Sequence, residues 1–85
     1  MNGTIQIDVY SRPNCHLCDE AKHTIERVRQ RYPFSLRLIN IEEDPALESK
    51  YGTEIPVIFI NGSKAFKYQV NEADFEKRLK RLWKT

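Results

Sequence analysis

The run Val57-Ile58-Phe59-Ile60 constrains the fold of this 85-residue chain more than any other segment. β-Branched and aromatic residues fit a pleated strand. Successive side chains of a strand point to opposite faces, so an unbroken apolar run suits a strand buried on both faces. Asn61-Gly62 follows at once. That pair is a strong two-residue hairpin signal, and the returning strand is read from Ser63 to about Tyr68. The rest of the chain has to supply the strands that extend this hairpin and the helices that cover it.

Ile5, Ile7 and Val9 alternate with polar residues and run into Tyr10, which predicts a strand over Ile5–Tyr10. Ser11-Arg12-Pro13-Asn14 reads as a loop, because proline restricts its own backbone and its predecessor's, and asparagine suits a turn or cap. From Cys15 to about Arg31, the apolar positions Leu17, Cys18, Ala21, Ile25, Val28 and Tyr32 recur every three or four residues, one face of a helix. Asp19 and Glu20 near its start, with Arg27, Arg29 and Arg31 near its end, complement the helix dipole. Tyr32-Pro33 stops it.

Phe34–Ile41 predicts a second strand, and Glu42-Glu43-Asp44-Pro45 an acidic turn into a short helix, Pro45–Lys50, ended by Gly52. A third helix begins after Val70, with Asn71 as N-cap, Asp74 reaching back, and Val70 against Phe75 as a hydrophobic staple. Phe75, Leu79, Leu82 and Trp83 are its expected inner face. The order is β-α-β-α-β-β-α, an α/β fold with a four-stranded mixed sheet, helices on both faces and an antiparallel final hairpin. At this length a single domain, residues 1–85, is expected.

Composition removes several function classes. Fourteen basic residues against 12 acidic give a net charge of +2, which is not a nucleic-acid footprint. The basic clusters Arg27-Arg29-Arg31 and Lys77-Arg78-Lys80-Arg81-Lys84 read as solvated helix faces. No segment approaches the roughly 18 consecutive apolar residues of a membrane span. The opening Met1-Asn2-Gly3-Thr4 shows no signal-peptide pattern, so a cytoplasmic, reducing setting and a monomer are expected, with no nucleic-acid or membrane partner.

The only two cysteines form Cys15-His16-Leu17-Cys18, placed between a predicted strand and a predicted helix. Spacing alone allows half a metal site, a structural thiol pair or a redox dithiol. Zinc needs two further ligands, and only His16, His23 and scattered carboxylates are available, so no metal is expected within one chain. A helix start favours a thiolate, because unpaired backbone N–H groups and the dipole stabilise an anion there. Arg12, three residues ahead of Cys15, could add positive charge, and His16 could help when protonated. Cys15 at the exposed end would attack a disulfide, and Cys18, one turn further in, would resolve the mixed disulfide and leave a Cys15–Cys18 bond. A second feature is Ile55-Pro56 at the start of the buried strand. Proline suits a strand's first residue, and the pattern by itself favours a trans bond.

Val9-Tyr10-Ser11-Arg12, Cys15-His16-Leu17-Cys18 with Ala21-Lys22, and Ile55-Pro56-Val57-Ile58-Phe59-Ile60-Asn61-Gly62 resemble the glutaredoxin family of the thioredoxin superfamily, in particular its small, divergent glutaredoxin-like branch. The likeness runs in order along nearly the whole chain. It implies a thioredoxin fold and dithiol–disulfide exchange, with Cys15 as nucleophile and Cys18 as resolving thiol. It makes Pro56 a cis-proline facing the dithiol, gives the Ile55 backbone to an extended substrate, and places Arg12 where glutaredoxins carry a basic residue. The function it implies is reduction of protein or mixed disulfides, in electron transport and cell redox homeostasis.

The departures fall on glutathione binding. His16-Leu17 replaces the usual Pro-Tyr, and Glu54 stands where the family has threonine two residues before the cis-proline. Phe66-Lys67-Tyr68-Gln69 lacks the glycine pair that lets a ligand approach the backbone, although Lys67 offers a charge. No bound cofactor is expected. Glutathione and a flavin-dependent reductase are both candidate electron donors, and the substrate is a disulfide-bearing protein or a small thiol. The competing reading is a binding module of the same fold whose dithiol is a regulatory sensor or a metal ligand shared between chains.

Overall fold

In a computed structural model, residues 5–83 follow the order β-α-β-α-β-β-α. The elements are β1 (Gln6–Ser11), α1 (His16–Arg29), β2 (Ser35–Asn40), α2 (Pro45–Tyr51), β3 (Val57–Ile60), β4 (Ser63–Lys67) and α3 (Glu72–Leu82), with a single 3-10 turn at Ile41–Glu43 between β2 and α2. Lys84 of the basic cluster and the opening Met1–Thr4 lie outside these described residues.

The sheet order is β2-β1-β3-β4. β1 runs parallel to β2 and antiparallel to β3, and β4 returns antiparallel to β3. Asn61 and Gly62 both take positive φ, 50° and 85°, as a turn with two left-handed residues requires. The tip is pinned to β1: the Gln6 amide donates to the Asn61 side chain and the Asn61 amide to the Gln6 carbonyl, each at 2.8 Å.

The alternation in β1 sorts the two faces. Ile5, Ile7 and Val9 join Ile58 and Ile60 against Ile25 and Val28 of α1 and Phe75 and Leu79 of α3. On the opposite face, Tyr51 of α2 stacks on Tyr10 with centroids 4.7 Å apart, and Phe59 meets Tyr10 edge-on at 5.4 Å. Beyond this aromatic group the face turns polar, and Arg37 grips the buried Asp8 carboxylate at 3.2 and 3.3 Å. Asp44 caps α2 by accepting the Ala46 amide, with Pro45 at the first helical position.

Several boundaries differ from the sequence expectation. Ser11 extends β1 because it pairs with Asn40 of β2, and its side chain is buried there. Ile41 leaves β2 because the Asn40 side chain accepts the Glu42 amide, which starts a 3-10 turn. The inner face of α3 reduces to Phe75 and Leu79. Leu82 is 38% exposed, and Trp83 is the C-cap residue, its ring resting edge-on against Tyr32 at 5.7 Å. Arg27 and Arg31, read as a charged helix end, are spent on Glu72 and Glu76 of α3 at 2.9–3.1 Å and fasten α3 across α1. The contacts of Arg31, and then of Arg27, hold the Glu72 carboxyl below its usual range.

Candidate active site

β1 delivers the chain to a short loop whose last residue, Asn14, has φ 60°, a left-handed conformation that asparagine tolerates. Cys15 then takes extended backbone (φ −109°, ψ 111°) as the N-cap of α1. Its sulfur accepts the Cys18 amide at 3.3 Å. This is the role a serine or aspartate oxygen usually plays at a helix start. The sequence placed Cys15 at the helix start, and as N-cap its sulfur faces the free N–H groups of the first turn, a seat for an anion.

The two thiols are free and differ in access: Cys15 is half-buried and Cys18 is 0% exposed. Burial, reinforced by the hydrogen bond to Cys15, pushes the Cys18 thiol up to about 11. The backbone amide of Arg12 and the charge of Lys22 act in the opposite direction. Cys18 therefore holds its proton at neutral pH. A thiol raised in the folded state stabilises the fold fully below its unfolded value near 9, and that contribution is lost as pH rises through about 11. Reduced protein should thus lose stability in denaturant between pH 9 and 11, and Cys18→Ala should flatten that part of the profile. A profile that keeps its slope in the variant would remove Cys18 as the cause.

The other candidate residues lie around this pair. The His16 imidazole is 84% exposed and meets Glu20 at 2.8 Å, on the outer side of α1. The Arg12 guanidinium is engaged by Glu48 of α2, with one nitrogen 3.0 and 2.9 Å from the two carboxylate oxygens. Ile55-Pro56 is a cis peptide bond, as the family resemblance implied and against the trans form the pattern alone favours. The β1–β3 pairing ends at Tyr10 and Val57, so Ser11-Arg12 and Ile55-Pro56 are the next residues outward on neighbouring strands. That register carries the proline to the loop that leads into Cys15.

The stretch that replaces the glycine pair also has a defined shape. Tyr68 takes φ 72°, a costly conformation for a bulky residue, and its amide donates to the carbonyls of Pro56 at 2.9 Å and Glu54 at 3.2 Å. Glu54 pairs with Lys64 at 2.7 Å, which holds its carboxyl below the usual range. The Lys67 ammonium sits over the Tyr68 ring at 5.4 Å. Glu54 and Tyr68 thus frame the proline with a paired carboxylate and a half-exposed aromatic ring.

Sequence reasoning missed three participants. Lys22 had a usable signal, since it stands four residues after Cys18 on the same helix. Glu48 had none, because its partner Arg12 is 36 residues away. The left-handed turn at Tyr68 was hidden by a residue type that rarely adopts it. Among the described residues, no group of three or more His, Cys, Asp or Glu side chains is placed to hold a metal ion, and no helix is long and apolar enough to cross a membrane.

Residues 6–80 match the family model described as Glutaredoxin-like domain (DUF836). A relative named thioredoxin, from Methanocaldococcus jannaschii, is 32% identical over 65 residues, which cover 73% of this chain and 76% of that protein. An X-ray structure of a protein from X. campestris superposes with a TM-score of 0.75 at 27% identity, covering 88% of this chain and 96% of its own. A structure of thioredoxin-2 from a malaria parasite superposes with a TM-score of 0.73, covering 95% of this chain and 85% of its own; at 16% identity it speaks for the fold alone. The four-stranded mixed sheet with its three helices is a thioredoxin fold. Fold and relatives together support a thiol-oxidoreductase-like role.

Proposed function

The chain belongs to the glutaredoxin-like domain family, and from that membership we propose that it is a small thiol–disulfide oxidoreductase that reduces protein or mixed disulfides through Cys15 and Cys18. The observation that carries this reading is the asymmetry of the pair. The Cys15 sulfur caps α1 within reach of solvent, and Cys18 is fully buried one turn behind it.

In the first step the Cys15 thiolate attacks a substrate disulfide. A Cys15–substrate bond forms, the substrate S–S bond breaks, and one substrate thiolate leaves and takes up a proton. Cys18 then gives up its proton and attacks the Cys15 sulfur. The Cys15–Cys18 bond forms, and the second substrate sulfur departs with the electron pair. Two electrons have passed to the substrate, and an external thiol or reductase returns the disulfide to the dithiol. Arg12 and the Ile55-Pro56 backbone border the position an extended substrate would take, and a cytoplasmic, reducing setting suits this direction of exchange.

Reduction of insulin, or of a small mixed disulfide, tests the reading with three donors: dithiothreitol, a thioredoxin reductase and glutathione. The expected result is turnover with at least one of the first two and only weak dependence on glutathione. Glu54, and Tyr68 in place of glycine, motivate the second expectation. Strong saturable turnover with glutathione would show that part wrong. No turnover with any donor would sink the enzyme reading.

A further inference from the structure

Five of the seven arginines meet a carboxylate: Arg12, Arg27, Arg29, Arg31 and Arg37 each form ion pairs, at 2.9–3.7 Å. Among the described residues, Arg78 and Arg81 have no such partner, and both line one open cavity of about 270 Å³ between the β3–β4 turn and the end of α3. Residues three apart on a helix are neighbours, so this wall carries two positive charges side by side. The carbonyl end of α3 accounts for basic residues in its last turn, Lys80 and Arg81, but not for Arg78 earlier in the helix and in the same cavity. Arg78 is held by its stack over the Phe66 ring, 5.1 Å from the centroid. Ile60 and Leu82 give the cavity apolar surface, and Ser63 adds a hydroxyl. Asn61 also lines it; its side-chain oxygen accepts the Gln6 amide, which leaves its NH₂ group to donate. Among the described residues, no carboxylate lines this cavity. The adjoining hollow, shared by Arg78 and Arg81 with Lys77, does contain one, Asp74, and is the poorer seat for an anion.

We propose that this cavity binds a small phosphomonoester with an apolar body, its phosphate on Arg78 and Arg81 and its body against Ile60 and Leu82. A phosphomonoester carries close to two negative charges at neutral pH and three acceptor oxygens, which matches two guanidiniums and the donors of Ser63 and Asn61. A carboxylate brings one charge and two oxygens, and would leave one arginine uncompensated. An apolar cavity of about 150 Å³ takes a benzene ring, so the space suits a body of about one ring. The site lies at the end of β3 away from the dithiol. Pro56 stands before the first residue of β3, and Ile60 is its last, roughly 10 Å further along the strand. A ligand of one-ring size stays clear of Cys15 and Cys18, so its binding is independent of the disulfide exchange proposed above.

Phenyl phosphate, inorganic phosphate and benzoate, each titrated at constant ionic strength into the isotope-labelled 85-residue chain, test this by NMR of the backbone amides and arginine side-chain N–H groups. Phenyl phosphate should give saturable shifts at residues 60–63 and 78–82 and leave the Cys15 and Cys18 amides in place. Inorganic phosphate lacks the ring and should bind at least about fivefold more weakly. Benzoate keeps the ring with a single charge and should be weaker by a similar factor. Arg78→Gln and Arg81→Gln should each weaken phenyl phosphate about tenfold or more, as for loss of a hydrogen bond between charged groups. Arg81 is exposed, so its variant keeps the fold and decides the matter even if loss of the Arg78–Phe66 stack disturbs the other. Four results would overturn the proposal: no saturable shift in the millimolar range, shifts spread equally over Lys64, Lys67, Lys77 and Lys80, unchanged affinity in the Arg81 variant, or inorganic phosphate or benzoate binding as tightly as phenyl phosphate.

Discussion

Cys15→Ser is expected to drop disulfide reduction to the uncatalysed background, a loss on the order of a thousandfold or more. The sulfur of Cys15 is the half-exposed one of the pair. It is held at the start of α1 by the Cys18 amide, so the proposed nucleophile is already aimed. A serine hydroxyl in its place caps the helix as well or better, so the fold should survive the change. What disappears is the attacking thiolate. Cys18 cannot take over, because it is fully buried and its thiol is pushed up to about 11. Retained turnover in a well-folded Cys15→Ser protein would mean that the chemistry lies elsewhere.

Phe75→Ala is expected to cost roughly 3–5 kcal/mol, as measured by denaturant unfolding at 25 °C. The ring is 0% exposed and meets Phe34 and Phe66 edge-on, with centroids 5.9 and 6.1 Å apart. It is the largest fully buried side chain among the described residues, and it joins α3 to the sheet face that α1 also covers. Small domains have total stabilities of about 5–15 kcal/mol, so this one cavity removes a large share. Phe75 belongs to a core cluster that includes neither cysteine, and loss of activity in this variant should follow the unfolded fraction. A cost below about 1 kcal/mol would show that α3 is not the anchor of the core.

Most of the scaffold was legible because it rests on short-range patterns. β3 and the Asn61-Gly62 turn lie where the apolar run and the turn chemistry put them. The face of α1 that carries Cys18, Ala21, Ile25 and Val28 is buried as its periodicity requires. The errors came where a distant partner decides. Ser11 joins β1 because Asn40 pairs with it, and Trp83 turns outward where α3 ends. The trans preference at Ile55-Pro56 is an average over all proline bonds, and only the resemblance of the surrounding residues identified the cis form found here.

The placement of the candidate dithiol was legible in the sequence, and its electrostatic surroundings less so. Cys15 and Cys18 announced themselves by spacing and by their position at a helix start. Arg12 could be placed near the dithiol, but the destination of its charge depended on Glu48, which folding brings to it from α2. Glu54 read as a bare negative charge, whereas Lys64 pairs with it across the sheet edge. The backbone angle at Tyr68 follows from the two carbonyls its amide serves, and no local sequence rule reports that.

The division of labour between the two thiols is the central claim, and trapping the intermediate tests it most directly. Cys18→Ser protein is mixed briefly with a disulfide-bearing peptide, quenched with acid and mapped by peptide mass spectrometry, with Cys15→Ser treated in parallel. The expected result is a peptide adduct on Cys15 that dithiothreitol removes, with little or none on Cys18 of the parallel variant over the same time. Comparable adducts on both thiols, or an adduct on Cys18 alone, would contradict the account.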